Sequence, residues 1–304
     1  ANFTFENIIM TVGAGSSINV IMKTIFDPGD KQIVFAPYFV EYANWAGNYH
    51  AETVVVPPNE ANGFEPDPEA LKKALDPKVK AVIINNPNNP TGAIYSRETL
   101  EQIAAVLKDA EKEYGHPIYI ITDEPYRELV YVDKEIVFIP DLYDNTIIAY
   151  SWSKSLSIPG DRLGYLAVSP KSDNVEEFMA AATVANRISG DTNAPSMVQL
   201  AVERCMDAQV DVPYYKKNAE DLYKIVTDAG FTAIVPQGAF YLWVKSPVAD
   251  EKELVAAAKE ERILMVPGSA FACPGYIRLS FCIANETIQR SAESFAKLGK
   301  KFFG

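Results

Sequence analysis

Length, composition and charge already narrow the class of protein. The chain has 304 residues, 48% of them hydrophobic and 22% charged, which is typical of a soluble globular protein with about two domains. It carries 28 basic and 40 acidic residues, a net charge of −12, and the basic residues form no long run, which excludes nucleic acid as a partner. The apolar runs are too short to span a membrane and the first ten residues lack a signal-peptide pattern, so we expect a cytoplasmic protein without a membrane partner.

The cysteines and histidines give little support to a metal site or a hydrolase. Cys205, Cys273 and Cys282 are too few and too irregularly spaced for a disulfide framework or a zinc site, so we interpret them as reduced thiols. His50 and His116 stand apart, and neither has a ligand pattern nearby. We therefore expect no metal site and no Ser-His-Asp hydrolase.

The first predicted strand leads into a turn that suits an anion. Residues 8–12 are apolar, residues 13–17 are small, and apolar residues then recur with the spacing of one helix face. Because such a turn exposes the first N–H groups of a helix, it favours a bound anion such as phosphate. A tight turn that needs glycine only for its geometry explains the pattern equally well.

Strands and helices then alternate as far as residue 170. The predicted strands are residues 8–12, 32–36, 53–56, 79–84, 118–122, 146–150 and 163–168, and the predicted helices between them include 68–75 and 96–114. This alternation predicts an α/β fold with a mostly parallel sheet covered by helices on both faces. The strand ends meet at one edge, where such sheets bind ligands, and we expect residues 13–16, Asn89, Asp123, Tyr126 and Lys154 there.

The remainder of the chain predicts a second, smaller unit. Residues 174–188 form a predicted helix, and residues 195–229 form one long helical stretch of the kind that bridges two domains. The segments at 239–244, 251–260, 263–266, 276–282 and 286–302 then predict a small α+β unit. We expect a large domain over residues 1–205 and a small C-terminal domain over residues 206–304.

Residues 151–165 carry the sequence's strongest indication of chemistry. The stretch reads Ser-Trp-Ser-Lys-Ser-Leu-Ser-Ile-Pro-Gly-Asp-Arg-Leu-Gly-Tyr, with Lys154 among small hydroxyl residues and Arg162 eight positions later. A lysine in a dry pocket beside another cation loses affinity for its proton and becomes an amine nucleophile. Taken alone, the stretch is equally compatible with a solvated surface loop.

Five motifs together resemble those of the fold-type I pyridoxal-phosphate enzymes, specifically the class I and II aminotransferases related to aspartate aminotransferase. They are Thr-Val-Gly-Ala-Gly at 11–15, Asn-Asn-Pro-Thr-Gly at 88–92, Asp-Glu-Pro-Tyr at 123–126, the Lys154 stretch at 151–165, and Tyr-Ile-Arg-Leu-Ser-Phe at 276–281. The resemblance implies a seven-stranded-type sheet in an α/β/α large domain with a smaller α+β domain. It also implies a pyridoxal 5′-phosphate cofactor, amino-group transfer from an amino acid to a 2-oxo acid, and a homodimer.

The resemblance implies a catalytic role for three residues. Lys154 would form a Schiff base with the cofactor aldehyde and then carry a proton between substrate and cofactor. Asp123 would pair with the pyridine nitrogen and keep it protonated. Tyr126 would hydrogen-bond the ring oxygen together with Asn89, and Phe39 would stack on the face of the ring.

Further roles concern the cofactor phosphate and the substrate. The resemblance assigns the phosphate to Ala14, Gly15, Ser151, Ser153 and Arg162. Arg278 would bind the substrate carboxylate beside Asn89, although without the resemblance it would be an ordinary strand arginine. Arg187 lies near the segment where some relatives place an arginine from the other subunit to hold a dicarboxylic side chain, but a solvated arginine at a helix end explains it better.

Two other functions are compatible with the same motifs. A β-elimination lyase of this fold, resembling a cystathionine lyase, would also use Lys154, Asp123 and Arg278. A non-catalytic aminotransferase-like module that binds an effector is an alternative from another class. Family members carry an N-terminal segment that helps to close the active site. Because this chain starts at Ala1 without a methionine, we expect that such a segment was removed or lies outside the given sequence.

Overall fold

A computed structural model describes residues 2–304 of the chain. The strands are β1 Ile8–Thr11, β2 Lys31–Phe35, β3 Glu52–Val56, β4 Val79–Asn85, β5 Tyr119–Asp123, β6 Thr146–Ser151, β7 Gly164–Val168, β8 Tyr241–Lys245, β9 Val266–Pro267 and β10 Tyr276–Ser280. The helices are α1 Ala14–Ile25, α2 Glu41–Gly47, α3 Pro68–Ala74, α4 Arg97–Tyr114, α5 Trp152–Ser155, α6 Val175–Ile188, α7 Ser196–Glu203, α8 Val212–Asp228, α9 Glu251–Glu260, α10 Asn285–Arg290 and α11 Ala292–Phe303.

The first seven strands form one sheet in the order β1-β7-β6-β5-β4-β2-β3. Strands β2 to β6 pair in parallel, whereas β7 runs antiparallel to both β6 and β1. The predicted mostly parallel α/β sheet is therefore confirmed. Parallel pairing brings the carboxyl ends of β4, β5 and β6 to the same edge, and Asn85 lies opposite Asp123 in register.

Helices cover both faces of this sheet. Strand β4 is apolar from Ala81 to Ile84 because these side chains alternate between two hydrophobic cores. Ile83 belongs to a core with α1 and α6, whereas Val82 and Ile84 belong to a core with α3 and α4. The predicted helix at residues 96–114 is confirmed, and its Ser96 side chain accepts a hydrogen bond from the Thr99 N–H, as an N-cap does.

The remaining strands form a three-stranded antiparallel sheet in the order β8-β10-β9. Residues of α8, α9 and α11 pack with it in a third hydrophobic core, which also includes Tyr126, Leu129 and Tyr131 from the segment after β5. The small α+β unit predicted from the sequence is present, and it contacts the segment that follows Asp123.

The structure corrects three predicted elements of this region. The stretch 195–229 is not one helix: α7 ends at Glu203, and Asp211 caps the new helix α8, whose second residue Pro213 has no N–H to continue an earlier turn. The predicted helix 286–302 divides at Ser291, whose hydroxyl donates to the Ile288 carbonyl. The predicted strand 263–266 shortens to the two residues of β9. No helix within residues 2–304 has both the length and the apolarity needed to cross a membrane.

Candidate active site

A cavity of about 320 Å³ opens at the carboxyl edge of the large sheet, a volume that suits a small organic ligand. The structure brings eleven predicted site residues to its wall: Ala14, Gly15, Phe39, Asn89, Asp123, Tyr126, Ser151, Ser153, Lys154, Arg162 and Arg278. They come from segments far apart in the sequence. The clustering follows from the topology, because most of them lie just after a strand of the large sheet and Arg278 lies on β10 of the small one.

Asp123 ends β5 and is buried, with 7% of its surface exposed. The Tyr42 hydroxyl donates a hydrogen bond of 2.5 Å to its Oδ2, while its Oδ1 has no partner in the described part of the chain. Burial raises the pKa of Asp123 to about 7, and the neighbouring Glu124 adds to the rise while the Tyr42 bond opposes it. A cation or N–H donor in the cavity would satisfy Oδ1 and stabilise the carboxylate.

Lys154 lies on the one-turn helix α5 and is half-buried. Its Nζ is 5.2 Å from the centre of the Phe240 ring. Burial lowers the pKa of Lys154, and the positive charges of Arg162 and Arg278 lower it further, against an opposing effect of Cys282. More of this amine is therefore neutral near pH 7 than for a solvated lysine, as nucleophilic attack requires.

The short helix that carries Lys154 is fixed to the strand before it. The Tyr150 hydroxyl, at the end of β6, lies 2.7 Å from Ser155 Oγ and donates a hydrogen bond of 2.7 Å to Glu128 Oε1. Because these bonds join the residue after Lys154 to two neighbouring segments, they restrict the position of the lysine main chain.

One end of the cavity is built as an anion site. Helix α1 starts at Ala14, so the Ala14 and Gly15 N–H groups lie in its first turn beside the Arg162 guanidinium. Gly13 permits this approach, because a Cβ placed there would lie 2.5 Å from Arg162 Nη2. The buried Ser151 and Ser153 line the same cavity.

The Arg278 guanidinium lies at the other side of the cavity between two aromatic rings. Its Cζ is 4.2 Å from the centre of the Tyr241 ring and 4.7 Å from that of Phe271. Arg278 Nη1 donates a hydrogen bond of 2.7 Å to Asn89 Oδ1. Burial lowers the pKa of Arg278, although a guanidinium stays charged at neutral pH. A carboxylate is the natural partner for the remaining N–H donors.

Comparison with known proteins identifies the family. The sequence model of the family "Aminotransferase class I and II" matches residues 1–295. The chain belongs to the class I and II aminotransferases. It is 33% identical to the aspartate/prephenate aminotransferase of Thermus thermophilus over 97% of this chain and 76% of that one. It is also 32% identical to the aspartate aminotransferase of Thermotoga maritima over 95% of this chain and 74% of the relative.

Solved structures agree with this assignment. An aminotransferase from Eubacterium rectale superposes with a TM-score of 0.96 at 39% identity, covering all of this chain and 76% of that one. A mutant of the Thermus thermophilus aspartate aminotransferase superposes with a TM-score of 0.87 at 30% identity, covering 97% of this chain and 81% of that one. The protein is thus an enzyme of the aminotransferase class with the fold-type I architecture.

Aminotransferases of this family use pyridoxal 5′-phosphate, and the cavity fits that cofactor. The Oδ1 of Asp123 lacks the hydrogen-bond partner that a protonated ring nitrogen would supply, and the half-buried amine of Lys154 suits an aldehyde. The helix N-terminus together with the Arg162 guanidinium suits a phosphate. Gly13 allows the guanidinium to lie there, because a side chain at that position would displace it. The fit thus rests on three separate features of the cavity.

Sequence reasoning missed several residues of the aminotransferase site. Tyr42 bonds Asp123, Trp45 contacts the Phe39 ring at 6.0 Å between centroids, and Tyr241 contacts Arg278. Tyr42 and Trp45 follow the predicted Phe39 by three and six residues, so closeness in sequence to a predicted site residue was a usable signal. No comparable signal marked Tyr241, because its partners are distant in sequence.

Arg187 does not line the cavity. It lies in the last turn of α6, where its side chain is exposed, and the two residues after it border a neighbouring cleft that includes Arg162. A role for Arg187 across a subunit interface therefore stays a prediction.

Proposed function

We propose that the protein is a pyridoxal-phosphate-dependent aminotransferase that moves the α-amino group of an amino acid to a 2-oxo acid. The observation that carries the proposal is one cavity faced by the Lys154 amine, the orphan carboxylate oxygen of Asp123 and the Arg278 guanidinium. Bound at this position, the cofactor would withdraw electrons from the substrate α-carbon. The protein would supply binding, orientation and proton movement.

Asp123 would hold the cofactor ring in the state that accepts electrons. Its Oδ1 would accept a hydrogen bond from the ring nitrogen, while Tyr42 keeps Oδ2 bonded. A positive partner would lower the pKa of Asp123 from its raised value near 7, so the carboxylate would be ionised at neutral pH. Tyr126 and Asn89 would bond the ring oxygen, and Phe39 would stack on the ring.

Lys154 would bind the cofactor aldehyde covalently and, once released by the incoming amino acid, move the proton. Its Nζ would take the proton from the substrate α-carbon and return it to the neighbouring cofactor carbon. The depressed pKa of Lys154 supports this role, since a base must be neutral to accept a proton. The fixed main chain of α5 would keep the amine on one side of the substrate.

Two charged groups would set the direction in which the ligands bind. Arg162, with the N–H groups of Ala14 and Gly15 and the hydroxyls of Ser151 and Ser153, would hold the phosphate. Arg278 would bind the α-carboxylate of either substrate, because its planar fork can make two parallel hydrogen bonds. The names of the Thermus and Thermotoga relatives make aspartate the first amino donor to test.

The decisive test replaces Lys154 with alanine. With aspartate, 2-oxoglutarate and pyridoxal phosphate, the Lys154→Ala protein should lose at least about a thousandfold in kcat, in line with loss of a nucleophile that is also the general base. A Lys171→Ala protein, changed at an exposed lysine, should keep the parent rate. Turnover of Lys154→Ala at the parent rate would refute the proposal. Pyruvate and ammonia formed from cystathionine without a 2-oxo acid would favour the β-elimination lyase.

We also propose that the protein is a homodimer, that its large and small domains divide between residues 205 and 206, and that it is located in the cytoplasm. Exposed apolar side chains on α6 and α7 support the dimer; they are Val184, Ile188, Met197 and Leu200. Ile188 borders the cleft that contains Arg162, which would set the interface beside the phosphate end of the cavity. The domain division falls between α7 and α8, and the acidic, span-free sequence supports the location. A mass measurement in solution tests the dimer.

A further inference from the structure

Tyr241 occupies a position between the two functional ends of the cavity. It begins β8, and two residues later Trp243 lies opposite Arg278 on β10. Because side chains alternate along a strand, Tyr241 and Arg278 lie on the same face of the small sheet as diagonal neighbours. The Tyr241 side chain is buried, with 8% of its surface exposed.

Tyr241 makes two different contacts there. Its ring lies against Arg278, with the guanidinium carbon 4.2 Å from the ring centre. Its hydroxyl lies 3.0 Å from the Tyr126 hydroxyl, and either oxygen can donate that hydrogen bond. The Tyr241 side chain therefore contacts both Arg278, which is proposed to bind the substrate carboxylate, and Tyr126, which is proposed to bond the cofactor ring oxygen.

We propose that Tyr241 is a positioning residue whose ring orients Arg278 for the substrate carboxylate and whose hydroxyl orients Tyr126 toward the cofactor. This inference rests on the proposed function. It goes beyond that function because it assigns a residue that contacts neither reacting atom, and because it separates the effect of the ring from the effect of the hydroxyl.

The hydroxyl matters because a phenol has one proton to donate. If Tyr126 donates to Tyr241, it has no proton left for an oxygen in the cavity. When Tyr241 donates instead, the Tyr126 proton is free to point toward the cofactor oxygen. Removing the Tyr241 hydroxyl leaves Tyr126 buried with one partner fewer, so its orientation is no longer fixed from that side.

The ring matters because, within residues 2–304, the Arg278 guanidinium makes one hydrogen bond, to Asn89. The rings of Tyr241 and Phe271 both lie against the guanidinium and restrict its position further. Loss of one ring permits rotation and removes a cation–π contact. That loss corresponds to roughly 3- to 30-fold weaker carboxylate binding.

The test compares Tyr241→Phe with Tyr241→Leu in protein loaded with pyridoxal phosphate. In Tyr241→Phe we expect a KM for 2-oxoglutarate within about twofold of the parent, a lower kcat and a changed visible spectrum of the bound cofactor. In Tyr241→Leu we expect the same spectral change and, in addition, a KM and a succinate dissociation constant raised roughly 3- to 30-fold. Succinate binding is followed by calorimetry, so one readout does not depend on turnover.

Tyr131→Phe is the matched control. It also removes a buried tyrosine hydroxyl that donates to this region, at the Ala239 carbonyl, but Tyr131 lies outside the cavity wall. We expect it to keep the parent spectrum and KM. Thermal melting of each variant shows whether it has folded.

The outcomes separate this inference from the proposed function. A parent protein that does not transaminate overturns the proposed function, and succinate binding and the cofactor spectrum then decide the role of Tyr241. Equal succinate affinity in folded Tyr241→Phe and Tyr241→Leu overturns the role of the ring. A parent-like spectrum and kcat in Tyr241→Phe overturn the role of the hydroxyl.

Discussion

Gly13 controls how closely Arg162 approaches the first turn of α1, and Gly13→Ala tests the proposed phosphate site. Gly13 has a φ of +81°, which a side chain makes unfavourable. A Cβ added there would lie 2.5 Å from Arg162 Nη2 and 3.0 Å from its Cζ. These atoms are the far end of a flexible side chain, so we expect the guanidinium to move away while the fold is kept.

The expected effect has two parts. Gly13 has φ +81° and ψ 168°, a conformation almost confined to glycine, and holding alanine there costs about 1–3 kcal/mol of folding stability. The displaced guanidinium loses a charge-assisted hydrogen bond to phosphate, which is worth about 1.5–3 kcal/mol. We therefore expect pyridoxal phosphate to bind about 10- to 150-fold more weakly to Gly13→Ala.

The assay is equilibrium dialysis of pyridoxal phosphate against the cofactor-free protein. Gly29→Ala is the matched control: Gly29 has a φ of +93°, but an added Cβ would meet nothing within 4 Å. It should lose similar folding stability and keep the parent cofactor affinity. Equal cofactor affinity in Gly13→Ala, Gly29→Ala and the parent would refute the assignment of the phosphate to Arg162 and α1.

Two further variants test the ends of the cavity. The raised pKa of Asp123, about 7 in the cofactor-free fold against 3.8 for an ordinary aspartate, means that the folded chain binds more protons than the unfolded one. Relative to Asp123→Asn, the parent should lose on the order of 3 kcal/mol of unfolding free energy between pH 5 and 8, as measured by urea melts. A difference in unfolding free energy between the two proteins that does not change with pH would contradict the raised pKa. Arg278→Lys keeps the positive charge but loses the planar guanidinium, so KM should rise about tenfold or more for both substrates in steady-state kinetics. Unchanged KM values would contradict the proposed binding of the substrate carboxylate by Arg278.

The elements that the sequence predicts best are those whose signals are local. The apolar run of β4 predicts a strand buried on both faces, and the Ser96 cap predicts the start of α4. The break between α7 and α8 was missed, although Pro213 was visible, because the apolar spacing continues on both sides of it. The division at Ser291 depends on a side-chain bond to the Ile288 carbonyl, which a sequence pattern does not reveal.

The same distinction applies to the candidate site. The five motifs contain every predicted residue of the cavity wall except Phe39, since each motif holds several residues in a short stretch. Tyr42 could have been found from its closeness in sequence to Phe39. Tyr241 could not, because its contacts with Tyr126 and Arg278 join segments more than thirty residues apart and depend on strand register.

The segments that carry Asn89 and Tyr241 also meet through a close main-chain contact. Gly238 N donates to the Gly92 carbonyl, and a Cβ on Gly238 would lie 2.7 Å from the Leu129 carbonyl oxygen. A Cβ on Gly92 would lie 2.9 Å from the Gly238 carbonyl oxygen, so the two segments pack main chain against main chain. Tyr241 follows Gly238 by three residues and Asn89 precedes Gly92 by three, so this contact holds the segments that carry Tyr241 and Asn89 close together. Two glycines outside the cavity wall thereby support the arrangement of the proposed carboxylate site.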